Sequence, residues 1–136
     1  MSSQTVGLPL AWRRIPERYG LIGSECQNCK ARFFPVRKIC PSCRRKGKVK
    51  EVRFSGRGKI YSYTVVHSPP TGFELDAPYI IAIVELEEGP KLTTQIVDCN
   101  VEDVKIGAPV KMVFRRIQEE GKEGLLHYGF KFTVVK

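Results

Sequence analysis

The chain has 136 residues, is 42% hydrophobic and 27% charged, and carries a formal net charge of +9 with five cysteines. Those proportions belong to ordinary soluble globular proteins, and no apolar run approaches the roughly 20 residues that a membrane-spanning helix needs. The N-terminal "MSSQTVGLPLAWRR" lacks the basic start and apolar run of a secretory signal, so the expected location is the cytoplasm, where thiols stay reduced.

Charge is unevenly spread. Residues 1–60 hold 15 Lys or Arg against Glu17, Glu25 and Glu51, whereas residues 61–136 hold 8 against 11 acids. A basic half beside a mildly acidic half points to a docking surface for something anionic: nucleic acid, a phosphorylated cofactor or an acidic protein face. A chain this short buries a limited core, so a staple or a partner is expected to help it fold.

Three segments follow in order. Residues 1–24 place Trp12, Ile15 and Tyr19 on one helical face, and Pro16 divides the stretch into two short helical pieces. Residues 25–48 hold four of the cysteines. Residues 49–136 read as β-structure. "KIYSYTVVHS" alternates and is rich in Tyr, Thr and Val. After a Pro-rich loop come a buried strand at 79–86, a Glu-Glu-Gly-Pro turn and a strand at 91–97. Asn100 is a candidate N-cap for one helical turn that Gly107 ends. "APVKMVFRRI", a polar turn "QEEGKEG" and "LLHYGFKFTVV" complete five strands. Three strands, a short helical connection and two strands is the element order of the five-stranded OB-fold barrel. A small SH3-like barrel is the competitor. Gly56 and Gly58 are expected to allow a sharp bend where the first strand begins. The predicted class is therefore mainly β, with domains at 1–24, 25–48 and 49–136.

Cys26, Cys29, Cys40 and Cys43 form two Cys-x-x-Cys pairs. Each such turn sets two sulfurs on one side of an ion, and two turns complete the tetrahedron that zinc prefers. Iron in a rubredoxin-like site, a redox dithiol and intrapair disulfides are the alternatives. The dithiol lacks the helix N-terminus that activates a thiolate. Four cysteines on one metal leave no position for substrate, so the expected zinc is structural. Cys99 is expected to be a small buried residue. His67 and His127 have no nucleophile or acid at motif spacing, and no P-loop, G-x-S-x-G or H-E-x-x-H is present.

Cys26-x-x-Cys29, then Phe34-Pro35-x-Arg37, then Cys40-Pro41-x-Cys43, together with "SGRGKIYSYTVV", "APYIIAIVELEEGPKL" and "VEDVKIGAPVKMVF", resemble the rubredoxin-like zinc-ribbon plus OB-fold family of acyl-CoA-associated proteins, formerly a domain of unknown function. The pattern is that of an archaeal-type member and covers nearly the whole chain. Three positions depart from it. Lys30 and Arg44 stand where many zinc knuckles carry Gly, and Phe-Pro-Val-Arg replaces Phe-Pro-Pro-Arg.

The resemblance implies a non-catalytic accessory subunit. It would bridge an acetoacetyl-CoA thiolase and a hydroxymethylglutaryl-CoA synthase of the mevalonate pathway, and contribute to a shared CoA site. Arg37, Lys38, Arg44, Arg45 and Lys46 would supply charge for the phosphates of CoA or acyl-CoA. Trp12, Phe33 and Phe34 would supply flat surface for its adenine or for a partner. The alternative is single-stranded nucleic-acid binding, with Tyr61 and Tyr63 as a stacking platform on one face of the first barrel strand. The acidic balance of residues 61–136 weighs against it. Rubredoxin-like electron transfer has no support beyond the cysteines.

Overall fold

A computed structural model describes residues 8–71, 73–75, 77–119 and 126–135. Two helices open it, α1 (Leu8–Arg13) and α2 (Ile15–Gly20). Pro16 stands in the first turn of α2, where its missing N–H costs nothing, and Leu21 ends the helix at φ 52°.

Strands β1 (Ile22–Cys26), β2 (Arg32–Phe33) and β3 (Val49–Arg53) form an antiparallel sheet ordered β2-β1-β3. It draws strands from either side of the cysteine loops, so the ribbon stands on a base that begins before residue 25 and ends after residue 48. The barrel follows: β4 (Arg57–Val66), β5 (Tyr79–Leu86), β6 (Lys91–Ile96), β7 (Pro109–Glu119) and β8 (Leu126–Val134). Its closed order is β4-β5-β6-β8-β7. β6 meets β8 in parallel through Ile96 and Phe132, and β7 returns to β4 through Lys111, Val110 and Pro109. This is the OB-fold arrangement expected from the element order.

The bend into β4 has two separate causes. Gly56 adopts φ 77°, which strains any residue with a Cβ, and a Cβ on Gly58 would stand 2.5 Å from the Glu85 carbonyl oxygen. Asn100 precedes a single 3₁₀ turn, Val101–Asp103, and its N–H donates to the Asp103 carboxylate at 3.4 Å. The polar turn expected at 118–124 is corrected in part: β7 continues through Gln118 and Glu119, and the rest lies outside the described residues.

Alternating side chains of β5 and β6 fill the barrel around Ile60, Val84, Val110 and Phe132. Burying one such side chain contributes about 1.5–3 kcal/mol. The same cluster takes in Leu21 and Phe54 from the ribbon side, with Phe34 packed against it. The Phe34 ring meets Phe130 edge-on at 5.8 Å and Phe54 at 6.4 Å. Ribbon and barrel therefore share one hydrophobic core. Among the described residues no helix is long and apolar enough to cross a membrane.

Candidate metal centre and cationic ribbon face

The ribbon is built from two similar knuckles. In the first, the Cys26 N–H donates to the Ala31 carbonyl and the Lys30 N–H to the Cys26 carbonyl, each at 2.8 Å. In the second, the Arg44 N–H donates to the Cys40 carbonyl at 2.8 Å. Closing each turn requires left-handed backbone, and Lys30 and Arg44 adopt it at φ 62° and 50°. These are the two positions where the sequence departs from the usual Gly.

The knuckles bring the Cys26, Cys29, Cys40 and Cys43 sulfurs within 4.8 Å of one another. The Cys29 and Cys40 sulfurs stand 3.5 Å apart. Four thiolates at about 2.3 Å from a tetrahedral zinc ion would be separated by about 3.8 Å, so the cluster fits such an ion. Cys26 and Cys40 are fully buried, whereas Cys29 lies at the surface.

Electrostatics divides the thiols. Backbone N–H groups of Cys29, then Asn28, pull the Cys26 thiol down to about 6. The Ala31 N–H also favours a Cys29 thiolate, but bonds to the Cys40 and Cys43 sulfurs and burial outweigh it and push Cys29 up to about 12. Four adjacent thiols cannot all ionise without a cation to hold them together.

Two residues of this site carry no cysteine and were not singled out from the sequence. The Asn28 amide donates to the Cys43 sulfur at 3.2 Å, joining the two knuckles. A Cβ on Gly47 would lie 2.9 Å from Cys43 Cβ and 3.3 Å from the Cys26 sulfur, so only glycine fits there. Spacing offered a partial signal: Asn28 lies inside the first pair and Gly47 lies four residues beyond Cys43.

The proposed CoA-contact residues fall into separate groups. Phe33 and Arg37 come together, with the Arg37 guanidinium 5.2 Å over the ring. The Arg37 N–H donates to the buried Ser24 hydroxyl at 3.0 Å, which fixes that loop on β1. Lys38, Arg44, Arg45 and Lys46 are exposed on the ribbon. Phe34 instead turns its ring to the core. Trp12 stands exposed on α1, and among the described residues no ring or cation contact joins it to that group.

The aromatic platform on β4 is corrected. A bulge between Ile60 and Ser62 leaves Tyr61 outside the ladder, and Tyr63 pairs with the buried Ala82. The two-residue repeat that would put both rings on one face is broken there. Tyr61 carries Lys91 over its ring at 3.9 Å. Cys99 is half-buried against the core, and His67 is exposed just after β4.

A family model described as the ChsH2 rubredoxin-like zinc ribbon domain matches residues 13–49, and one described as the ChsH2 C-terminal OB-fold domain matches residues 51–115. A DUF35 domain-containing scaffold protein of Methanothermobacter thermautotrophicus is 56% identical over 121 residues, covering 89% of this chain and 91% of its own length. One from Pyrococcus furiosus is 46% identical, covering 91% of this chain and 90% of its own. A probable enoyl-CoA hydratase alpha subunit of Thermomonospora curvata is 36% identical over 73% of this chain, which spans only 30% of that longer protein. The solved Ltp2-ChsH2(DUF35) aldolase superposes with a TM-score of 0.69 at 29% identity, covering 98% of each chain. Two cysteine knuckles on a three-stranded sheet, a closed barrel and these relatives agree: the chain belongs to the DUF35 family of zinc-ribbon and OB-fold scaffold proteins.

Proposed function

We propose that this chain is a non-catalytic, cytoplasmic accessory subunit of a thiolase-type complex. In this reading it bridges acetoacetyl-CoA thiolase and a hydroxymethylglutaryl-CoA synthase and offers its ribbon to acyl-CoA. The carrying observation is the convergence of all four ribbon sulfurs within 4.8 Å. A four-coordinate zinc held there by Cys26, Cys29, Cys40 and Cys43 is closed to substrate, so it serves architecture and not chemistry. Around it, Arg37, Lys38, Arg44, Arg45 and Lys46 supply cations for phosphates, and the Phe33–Arg37 pair supplies a flat edge. The scaffold names of the archaeal relatives and the hydratase-subunit name of the bacterial one support an accessory role in acyl-CoA metabolism. The division into an N-terminal helical segment at 1–24, a ribbon at 25–48 and a barrel at 49–136 is part of the same proposal, with the ribbon's supporting strands β1 and β3 reaching past residues 25 and 48.

The test is to co-purify the chain with the thiolase and the synthase of the same source, and to titrate CoA and a labelled single-stranded oligonucleotide at physiological salt. A stable complex and saturable CoA binding are expected. Tight oligonucleotide binding with no association with either enzyme would reverse the ranking in favour of nucleic acid. The exposed Tyr61 under Lys91, on the first barrel strand, is a feature that speaks for that alternative.

A further inference from the structure

Among the described residues, β7 pairs with β4 at residues 109–111 and β8 pairs with β6 at Phe132 alone. The outer half of the β7–β8 hairpin therefore extends beyond these pairings; Phe130 there packs against the core, whereas Phe114 and Tyr128 do not belong to it. Phe114 and Tyr128 stack there with ring centres 5.5 Å apart and planes 12° from parallel. Tyr19 of α2 closes on Phe114 edge-on at 5.1 Å. Phe114 nevertheless remains 48% exposed, and Trp12 on the preceding helix is 75% exposed.

We propose that this face, centred on Tyr19, Phe114 and Tyr128 and flanked by Trp12, is the docking surface for an apolar pocket with an acidic rim on a different protein. The proposal rests on the scaffold reading above and names where such a partner enzyme would seat. Rings interlocked from three elements are ordered before binding, so little freedom is lost on association. Trp, Tyr and Arg are the residues that dominate interface energetics. Charge selects the partner. Arg13 and Arg18 lie on the helices that carry Trp12 and Tyr19, and among the described residues neither has a carboxylate within ion-pair distance. A second copy presenting the same face about a two-fold axis would set these cations against their counterparts. A pocket edged by Asp or Glu pairs with them instead.

The experiment uses the zinc-loaded full chain and the immobilised thiolase and synthase of the same source, with affinity measured at low and high salt. Trp12→Ala and Phe114→Ser are expected to weaken binding to one enzyme by roughly tenfold or more. Arg13→Glu with Arg18→Glu should weaken it and flatten its salt dependence. Ile106→Ser, a control at an exposed apolar residue between β6 and β7, should change nothing. Circular dichroism and zinc content check folding. Trp12 has no ring partner among the described residues, so Trp12→Ala remains informative even if Phe114→Ser loosens α2. Wild-type binding that survives both aromatic substitutions would overturn this face while leaving the scaffold role intact. Failure of the wild-type chain to bind either enzyme would remove both. A homodimer in light scattering that Trp12→Ala dissolves would show the occupant to be a second copy, contrary to the proposal.

Discussion

Replacing Lys30 and Arg44 with glycine should stabilise the ribbon. Each adopts left-handed backbone, at φ 62° and 50°, which costs a residue with a Cβ about 1–2 kcal/mol. Glycine removes that strain but loses about 0.5–1 kcal/mol through the greater freedom of the unfolded chain. The net gain is about 0.5–1 kcal/mol per site. The hydrogen bonds that close the knuckles, Lys30 N–H to Cys26 and Arg44 N–H to Cys40, are backbone bonds and survive the change. Both side chains are exposed. Lys30 helps to hold the Glu25 carboxyl below its usual range, but the Arg32 hydrogen bond at 2.8 Å contributes more and remains. Lys30→Gly with Arg44→Gly should therefore add about 1–2 kcal/mol, or about 3–6 °C in Tm for a domain of this size. Thermal unfolding of the zinc-loaded variants by circular dichroism measures the shift, and chelator competition measures zinc affinity in parallel. A Tm unchanged or lowered in both single variants would refute the strain argument, and with it the view that these knuckles merely tolerate their cationic residues.

Acid should release the ion. Cys26, with a folded value of about 6 against an ordinary 9.0, favours the folded ribbon fully above pH 9, and that contribution fades as pH falls through about 6. Cys29, held near 12 in the free ribbon, must surrender its proton to an ion, so protons compete at both sites. A colorimetric zinc assay should show release that grows as pH falls below about 6, and retention independent of pH would contradict thiolate ligation. Gly23→Ala should destabilise the ribbon by about 1–3 kcal/mol, because its Cβ would press on the Phe54 ring and stand 2.5 Å from the Phe33 carbonyl oxygen; a wild-type urea midpoint would count against that packing. Phe34→Ala should cost about 3 kcal/mol, the low end for Phe→Ala because the ring is only half-buried, and split a single unfolding transition into separate ribbon and barrel steps in calorimetry, whereas one sharp transition at the wild-type Tm would show that the shared core is held by other residues.

What sequence reveals and hides follows from the range of each interaction. The metal cluster was legible because its ligands come in two local pairs whose turns are set by residues three apart. The barrel was legible because period-two alternation survives in β5 and β6, where one face is buried. Tyr61 and Tyr63 misled because alternation assumes an unbroken ladder, and a bulge at Ile60–Ser62 leaves no mark in residue types. Lys30 and Arg44 signalled their own oddity only against the usual glycine, and the backbone angle explains it. The Tyr19–Phe114–Tyr128 stack was out of reach. Its rings come from opposite ends of the chain and meet only after α2 folds back onto the hairpin.

That folding back ties the ion to the barrel. Leu21 caps α2 and, with Phe54 and Phe34, enters the same cluster as Ile60 and Phe132. The ribbon sheet has little apolar surface of its own: β3 offers only the half-buried Val49 and Val52 among exposed charged residues, and β2 contributes only two residues. Its rigidity must come from the four-cysteine knuckles at one end and from Phe34 and Phe54 at the other. Without an ion the knuckle end would be free, and β2 and β3, which lead into Phe34 and Phe54, would lose their register against β1. A ribbon so anchored would present Arg37 and the Arg44–Lys46 cations in a fixed direction relative to that hairpin, which is what the proposed engagement of an anionic ligand and a protein partner by one small chain requires.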